Sequence, residues 1–231
     1  MLYNAVNNMV DELVTYDFIW SKKFALKLAG LLDKTIPFMG DYVTAVSDSL
    51  KAYLVKIGVR ADKIQVLPAG VNASMFSARN KLALREKYGY REEQQIVIYT
   101  GSLDKFQRID YLLDATHLLK PKYPELKVIL ASNIANQKDL DTIEAQIQAL
   151  DIDDVVDIVK GLELEKLPDY LALSDVATLP RTDCPGHPVK ILNYMCGNIP
   201  IAGFSGAAKG LHHMKTAVLA EDHNVKEFAE S

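Results

Sequence analysis

Two runs decide the fold: Gln95-Ile-Val-Ile-Tyr-Thr100, closed by Gly101, and Lys127-Val-Ile-Leu-Ala-Ser132. Both are short and apolar, without the alternation of a half-exposed strand. A strand of that kind is buried on both faces, as in a parallel sheet. Between them, Tyr111–Lys120 carries helical periodicity. Strand, helix and strand at this spacing form a βαβ unit.

Outward from this unit the alternation continues. Helices are expected over Lys138–Leu150, Leu164–Ala172, Pro188–Met195 and Val225–Ala229. Strands are expected over Val155–Val159, Val176–Leu179, Ile199–Ala202 and Ala217–Leu219. Toward the start, Tyr42–Val46 and Lys63–Leu67 read as strands around a helix, Leu50–Ile57, with Ser47 as N-cap and Gly58 as its stop. Asn72–Ser77 reads as a linker and Asn80–Tyr88 as a short helix.

Residues 1–40 read as helix, with Trp20, Phe24, Leu28 and Leu31/Leu32 on one stripe and Lys23, Lys27 and Lys34 on another. Packing on a core is the first reading of that stripe. Peripheral contact with an anionic membrane face is the second. The fold class is therefore α/β, a Rossmann-like parallel sheet flanked by helices, preceded by a partial helical and strand segment.

Composition narrows the function. The chain has 231 residues, a net charge of −4 and a pI near 5.7. That balance argues against a nucleic-acid partner, which requires a positive footprint. Cys184 and Cys196 are too few for a disulfide framework and point to a reduced, cytoplasmic setting. No apolar run approaches the ~20 residues that span a bilayer, and the start lacks a signal-peptide pattern.

Chemistry in an open parallel sheet sits at the carboxyl ends of strands, beside helix N-termini. After Thr100 come Gly101, Ser102, Lys105 and Arg108: a glycine that admits close approach, followed by donors and cations suited to a diphosphate. The spacing is neither GxGxxG nor a Walker loop. An ordinary strand-to-helix turn with solvated charges is the alternative.

After Leu179 the loop Arg181–Pro188 runs into a helix. There Gly186, His187, Val189 and Lys190 offer amides and a cation, and Asn193 offers a polar group to a ribose hydroxyl. A solvent-facing Asn193 is the plain alternative. His187 as a base and Cys184 as a nucleophile lack identified partners, and His212-His213 is weak evidence for metal.

At these loops the sequence resembles a group 1 (family 4) retaining glycosyltransferase of the GT-B type. The similar stretches are Ala45-Val-Ser-Asp-Ser49, Lys63–Val71 with Phe76, Tyr99–Leu103, Leu167–Val176 and Pro188–Pro200. The resemblance implies hexosyl transfer from a nucleotide-diphospho-sugar to an acceptor hydroxyl, without a metal cofactor. It implies that 1–71 is a remnant of the acceptor-side domain with the interdomain crossover. It also implies that 72–231 is the donor-binding domain, truncated at its end, with a partner polypeptide supplying the missing half and an acceptor the chain does not name. Cytoplasmic placement, peripheral to the inner membrane face, follows. The departures are specific: the family's E-x7-E glutamates fall on Pro185 and Asn193, and its phosphate-binding Arg and Lys on Ser102 and Gln107. A donor-type binding module without catalysis is the alternative these departures support.

Overall fold

The computed structural model describes residues 1–13, 21–134, 136–184 and 188–231. The chain divides into two compact units, Met1–Gly70 and Val71–Cys184 with Pro188–Ser231.

In the first unit β1 (Leu2–Ala5), β2 (Tyr42–Ala45) and β3 (Ile64–Val66) form a parallel sheet in the order β1-β2-β3. The expectation of helix throughout 1–40 is corrected at its start. Leu2–Ala5 pairs with Tyr42–Ala45 residue for residue, so a four-residue ladder, too short to carry a period, sets its conformation. Helix α1 (Met9–Glu12) and helix α2 (Lys22–Asp33) follow.

The predicted apolar stripe is also corrected. Phe24 and Leu31 are exposed, and the buried face of α2 is Ala25, Ala29 and Asp33; Trp20 lies outside the described residues. Asp33 turns inward because it accepts hydrogen bonds from the Met9 and Val10 amides and the Tyr53 hydroxyl. It satisfies the orphan amides at the start of α1, and a buried carboxylate with three donors outweighs the apolar pattern. Helix α3 (Asp48–Lys56) is capped as expected, Ser47 Oγ accepting from the Leu50 amide at 3.2 Å.

The second unit opens with a single 3-10 turn, Ala73–Phe76, where a linker was expected. The Asn72 side chain accepts from the Ser74 amide, and Phe76 packs on the core. After α4 (Lys81–Tyr88) come β4 (Gln95–Thr100), α5 (Ile109–Leu119), β5 (Leu126–Ser132), α6 (Gln137–Ala149) and β6 (Val156–Lys160). They are followed by α7 (Leu167–Leu173), β7 (Val176–Leu179), α8 (Val189–Cys196), β8 (Ile201–Phe204), β9 (Val218–Ala220) and α9 (Val225–Glu230).

The six strands are parallel, in the order β6-β5-β4-β7-β8-β9. In the unit's own strand sequence this is 3-2-1-4-5-6, the doubly wound order, whose switch point lies between β4 and β7. Both sheet faces are covered. Tyr99, Val128 and Leu130 pack against α5, α6 and α9, while Ile96, Ile98 and Ile129 pack against α7 and α8. Each such side chain contributes about 1.5–3 kcal/mol by leaving water.

The amino end of the sheet is pinned by ions. Asp175 accepts from the Ile96 amide (2.7 Å), from Lys81 (2.5 Å) and from Arg85 (2.7 Å). Arg85, 4% exposed, also donates to the carbonyls of Leu173 and Glu92. Burial alone raises a carboxyl; here the Ile96 amide and the two cations override it and hold Asp175 below the usual range. Among the described residues no helix is long and apolar enough to cross a membrane.

Candidate functional site

The carboxyl ends of β4, β5 and β6 and the face of α8 enclose a cavity of about 190 Å³. Thr100, Gly101, Asn133, Glu163, Lys190 and Asn193 are among its lining residues. It lies at the switch point, where a crevice opens because neighbouring connections leave in opposite directions.

Helix α8 is fixed to the sheet by one phenol. The Tyr194 hydroxyl, fully buried, receives hydrogen bonds from the Thr100 amide and side chain at 3.1 Å each, and donates to the Thr178 carbonyl at 3.4 Å. Burial pushes this phenol up to about 12. Because β4 and β7 flank the switch point, Tyr194 sets the position of α8 against both strands at once. Lys190 and Asn193 then face the cavity from consecutive turns. Pro188 is the N-cap, and no side chain caps the helix. The Val189 and Lys190 amides have no intrahelical acceptor, while the Ile191 amide donates to the Pro188 carbonyl at 3.0 Å.

Lys190 is held on neutral groups. Its ammonium donates to the Tyr99 hydroxyl and to Gln107 Oε1, each at 3.0 Å, and stands 4.2 Å from the Tyr99 ring centroid. Tyr99 donates in turn to the Ser102 carbonyl at 2.6 Å, and Gln107 Nε2 to Ser102 Oγ at 3.4 Å. Burial, reinforced by repulsion from Arg181, pulls the ammonium down to about 7; Cys184 opposes this in part. Gly101, at φ +133°, has a backbone that suits glycine, and a Cβ there would lie 2.9 Å from Lys190 Nζ, so a side chain would displace the ammonium.

The structure thus brings Gly101, Lys190 and Asn193 to one cavity, with Ser102 joined through Gln107. The Asn193 side chain makes no hydrogen bond with the described residues. Two expected ligands face elsewhere. Arg108 caps α5 from the left-handed region and is taken by Asp110, at 2.9 and 2.7 Å, and by the Tyr111 ring at 3.5 Å. Lys105 is exposed on the 3-10 turn Lys105–Gln107. Val189 is exposed at the first turn of α8. Gly186 and His187, like Pro185, lie outside the described residues.

Cys184 is buried, and His213 accepts from the Leu219 amide, a structural role. Among the described residues no group of three or more His, Cys, Asp or Glu stands ready to hold a metal. Tyr99, Arg181 and Tyr194 were not singled out from sequence, and Gln107 was noted only as standing where the resemblance places a lysine. For Arg181 the signal was positional: it leaves the carboxyl end of β7.

The family model described as "Glycosyl transferases group 1" matches residues 80–231. A D-inositol 3-phosphate glycosyltransferase of Kribbella flavida is 23% identical over 199 residues, covering 83% of this chain and 47% of its own. The chain thus spans about half the length of the curated relatives it matches. The crystal structure of Anabaena Alr3699/HepE in complex with UDP-glucose superposes with a TM-score of 0.80 at 18% identity, over 99% of this chain and 60% of that one. A sucrose-phosphate synthase of Thermosynechococcus elongatus gives 0.80 at 21% identity, over 99% and 56%. At these identities the likeness shows the Rossmann-like fold that GT-B glycosyltransferases share.

Proposed function

The chain belongs to the group 1 glycosyltransferases, and on that premise we propose that residues 72–231 hold a nucleotide-diphospho-sugar for retaining hexosyl transfer to an acceptor hydroxyl. The observation that carries the reading is the cavity at the switch point. It gathers Gly101, Lys190 and Asn193 beside the first turn of α8, and the match to the family spans the same part of the chain. The diphosphate lies at Gly101 and the first amides of α8, and Asn193 reaches a ribose hydroxyl. The α8 amides and Lys190, fixed before the donor arrives, stabilise the negative charge that grows on the leaving diphosphate. No metal is needed for that role. The acceptor, and any partner polypeptide that presents it, belong to the same proposal, as does cytoplasmic placement beside the membrane.

One observation favours a second reading, a module that binds donor without transferring it. Ser102, Gln107 and Asn193 are neutral where the family carries charge, so donor recognition here rests on fewer ionic contacts. Saturation-transfer NMR against UDP-, GDP- and ADP-sugars tests the shared premise. Transfer to ribose and hexose protons of one donor is expected, and contact with none overturns both readings. Release of free sugar from that donor then selects the enzyme over the module.

A further inference from the structure

Arg181 leaves the end of β7 just past Pro180 and is 9% exposed. Its guanidinium carbon stands 5.7 Å from the ring centroid of Phe106, so the side chain crosses the switch point to the loop after β4. Its Nε is buried without a hydrogen-bond partner. Among the described residues it makes no ion pair. Lys190 reaches the same loop from α8, at Tyr99 and Gln107, and it too has neutral partners only. Two cations, Arg181 buried and Lys190 half-buried, therefore meet on one loop and repel each other. Among the described residues the other charged or titratable groups about them include the Tyr99 and Tyr194 hydroxyls, Asp104 and Cys184, with Glu163 across the cavity. An isolated buried charge is among the most costly features a fold can keep. A bound dianion is what relieves it.

We propose that Arg181 is the second cation of the diphosphate site, closing with Lys190 on the two phosphates that Gly101 and the start of α8 approach. This rests on the nucleotide-sugar reading of the cavity. Arg181 supplies a planar fork suited to a phosphate's paired oxygens, and Lys190 a point charge. In the free protein Gln107 and Tyr99 park the ammonium, and a ligand draws it off them. The low protonation midpoint of Lys190 in the free state fits the same arrangement, since an anion between the two cations restores the charged form.

The test is Arg181→Met in the 231-residue chain, followed by calorimetry with inorganic pyrophosphate and with UDP, and by thermal unfolding without ligand. Affinity for both ligands is expected to fall about tenfold or more, the loss of a charge-assisted contact. Arg181→Lys is expected to recover part of it. The ligand-free variant is expected to melt no lower than the parent, because a buried charge that makes no ion pair among the described residues has been removed. Unchanged affinity overturns the proposal. So does a variant that melts far below the parent or fails to fold, since the guanidinium then has a structural partner. Pyrophosphate binding that depends on Arg181, with no nucleotide bound, keeps the anion site and sinks the nucleotide reading. UDP bound equally by both proteins does the reverse, and no binding of either ligand sinks both.

Discussion

Two arginines are buried in the second unit, at opposite ends of one sheet, and they are treated differently. Arg85, at the amino end, spends its donors on Asp175 and two carbonyls. Arg181, at the carboxyl end, keeps an Nε with nothing to bond. Both sit on the same scaffold, so the contrast is not one of general packing quality. A charge met by its surroundings holds structure together. A charge left unmet is held in place by structure, at a cost, and marks where something else binds.

The largest effect that sharpens this contrast is on stability. Arg85→Met leaves two carbonyls without their donor and Asp175 with Lys81 as its one remaining cation, and is expected to cost about 3 kcal/mol, read from urea unfolding. Asp175 is 39% exposed, which places the loss at the lower end of what breaking a buried pair costs. If Arg85→Met and Arg181→Met unfold alike, the two ends do not differ and the comparison breaks.

The second effect is on pH: at both ends stability rises with pH, each in its own window, but an anion reverses the preference only at Lys190. Asp175 titrates below its unfolded value, so its contribution is present above that value and fades as pH falls through the lowered one. Lys190 is lowered from 10.5 to about 7 in the fold. Between those values the unfolded chain holds the extra proton, so ligand-free stability rises with pH. A bound anion favours the charged lysine. Affinity for UDP-glucose, whose phosphates do not titrate in this range, is expected to fall above pH 7 by up to tenfold per unit, about 1.4 kcal/mol. Lys190→Gln is expected to flatten that profile in calorimetry across pH 6.5 to 8.5, a range set on either side of about 7. A parent profile already flat removes Lys190 from the anion site.

The smallest effect concerns the neutral side of the cavity. Asn193→Leu is expected to weaken UDP by about 1 kcal/mol and to leave pyrophosphate untouched, as the loss of a single uncharged hydrogen bond does. Equal losses for the two ligands take the ribose role from Asn193.

Much of this was legible in the sequence where long apolar runs and helical periods repeat. β4 to β8 and their helices fall within a residue or two of expectation, save α7, whose first three expected residues form a 3-10 turn, and the cavity is lined from the loop after Thr100 and from the helix that follows Leu179. What escaped was set by contacts distant in sequence. Leu2–Ala5 becomes a strand only through Tyr42–Ala45. The α2 stripe turns because Asp33 serves α1 and Tyr53. Arg108 and Arg181 show no difference as letters. One has Asp110 two residues away and is taken; the other has a proline before it and is carried into the sheet's end with no ion pair among the described residues. Local spacing predicts which loops can bind, and only the folded surroundings say which of their cations are still available.

The Tyr194 hydroxyl joins Thr100 to Thr178 across the seam where the sheet reverses. Spreading those two strands means breaking that junction, so the hollow beside it is set when the chain folds and not remade for each visitor. A ligand that fits spends little of its affinity on ordering the protein, and one of the wrong shape is refused by stiffness.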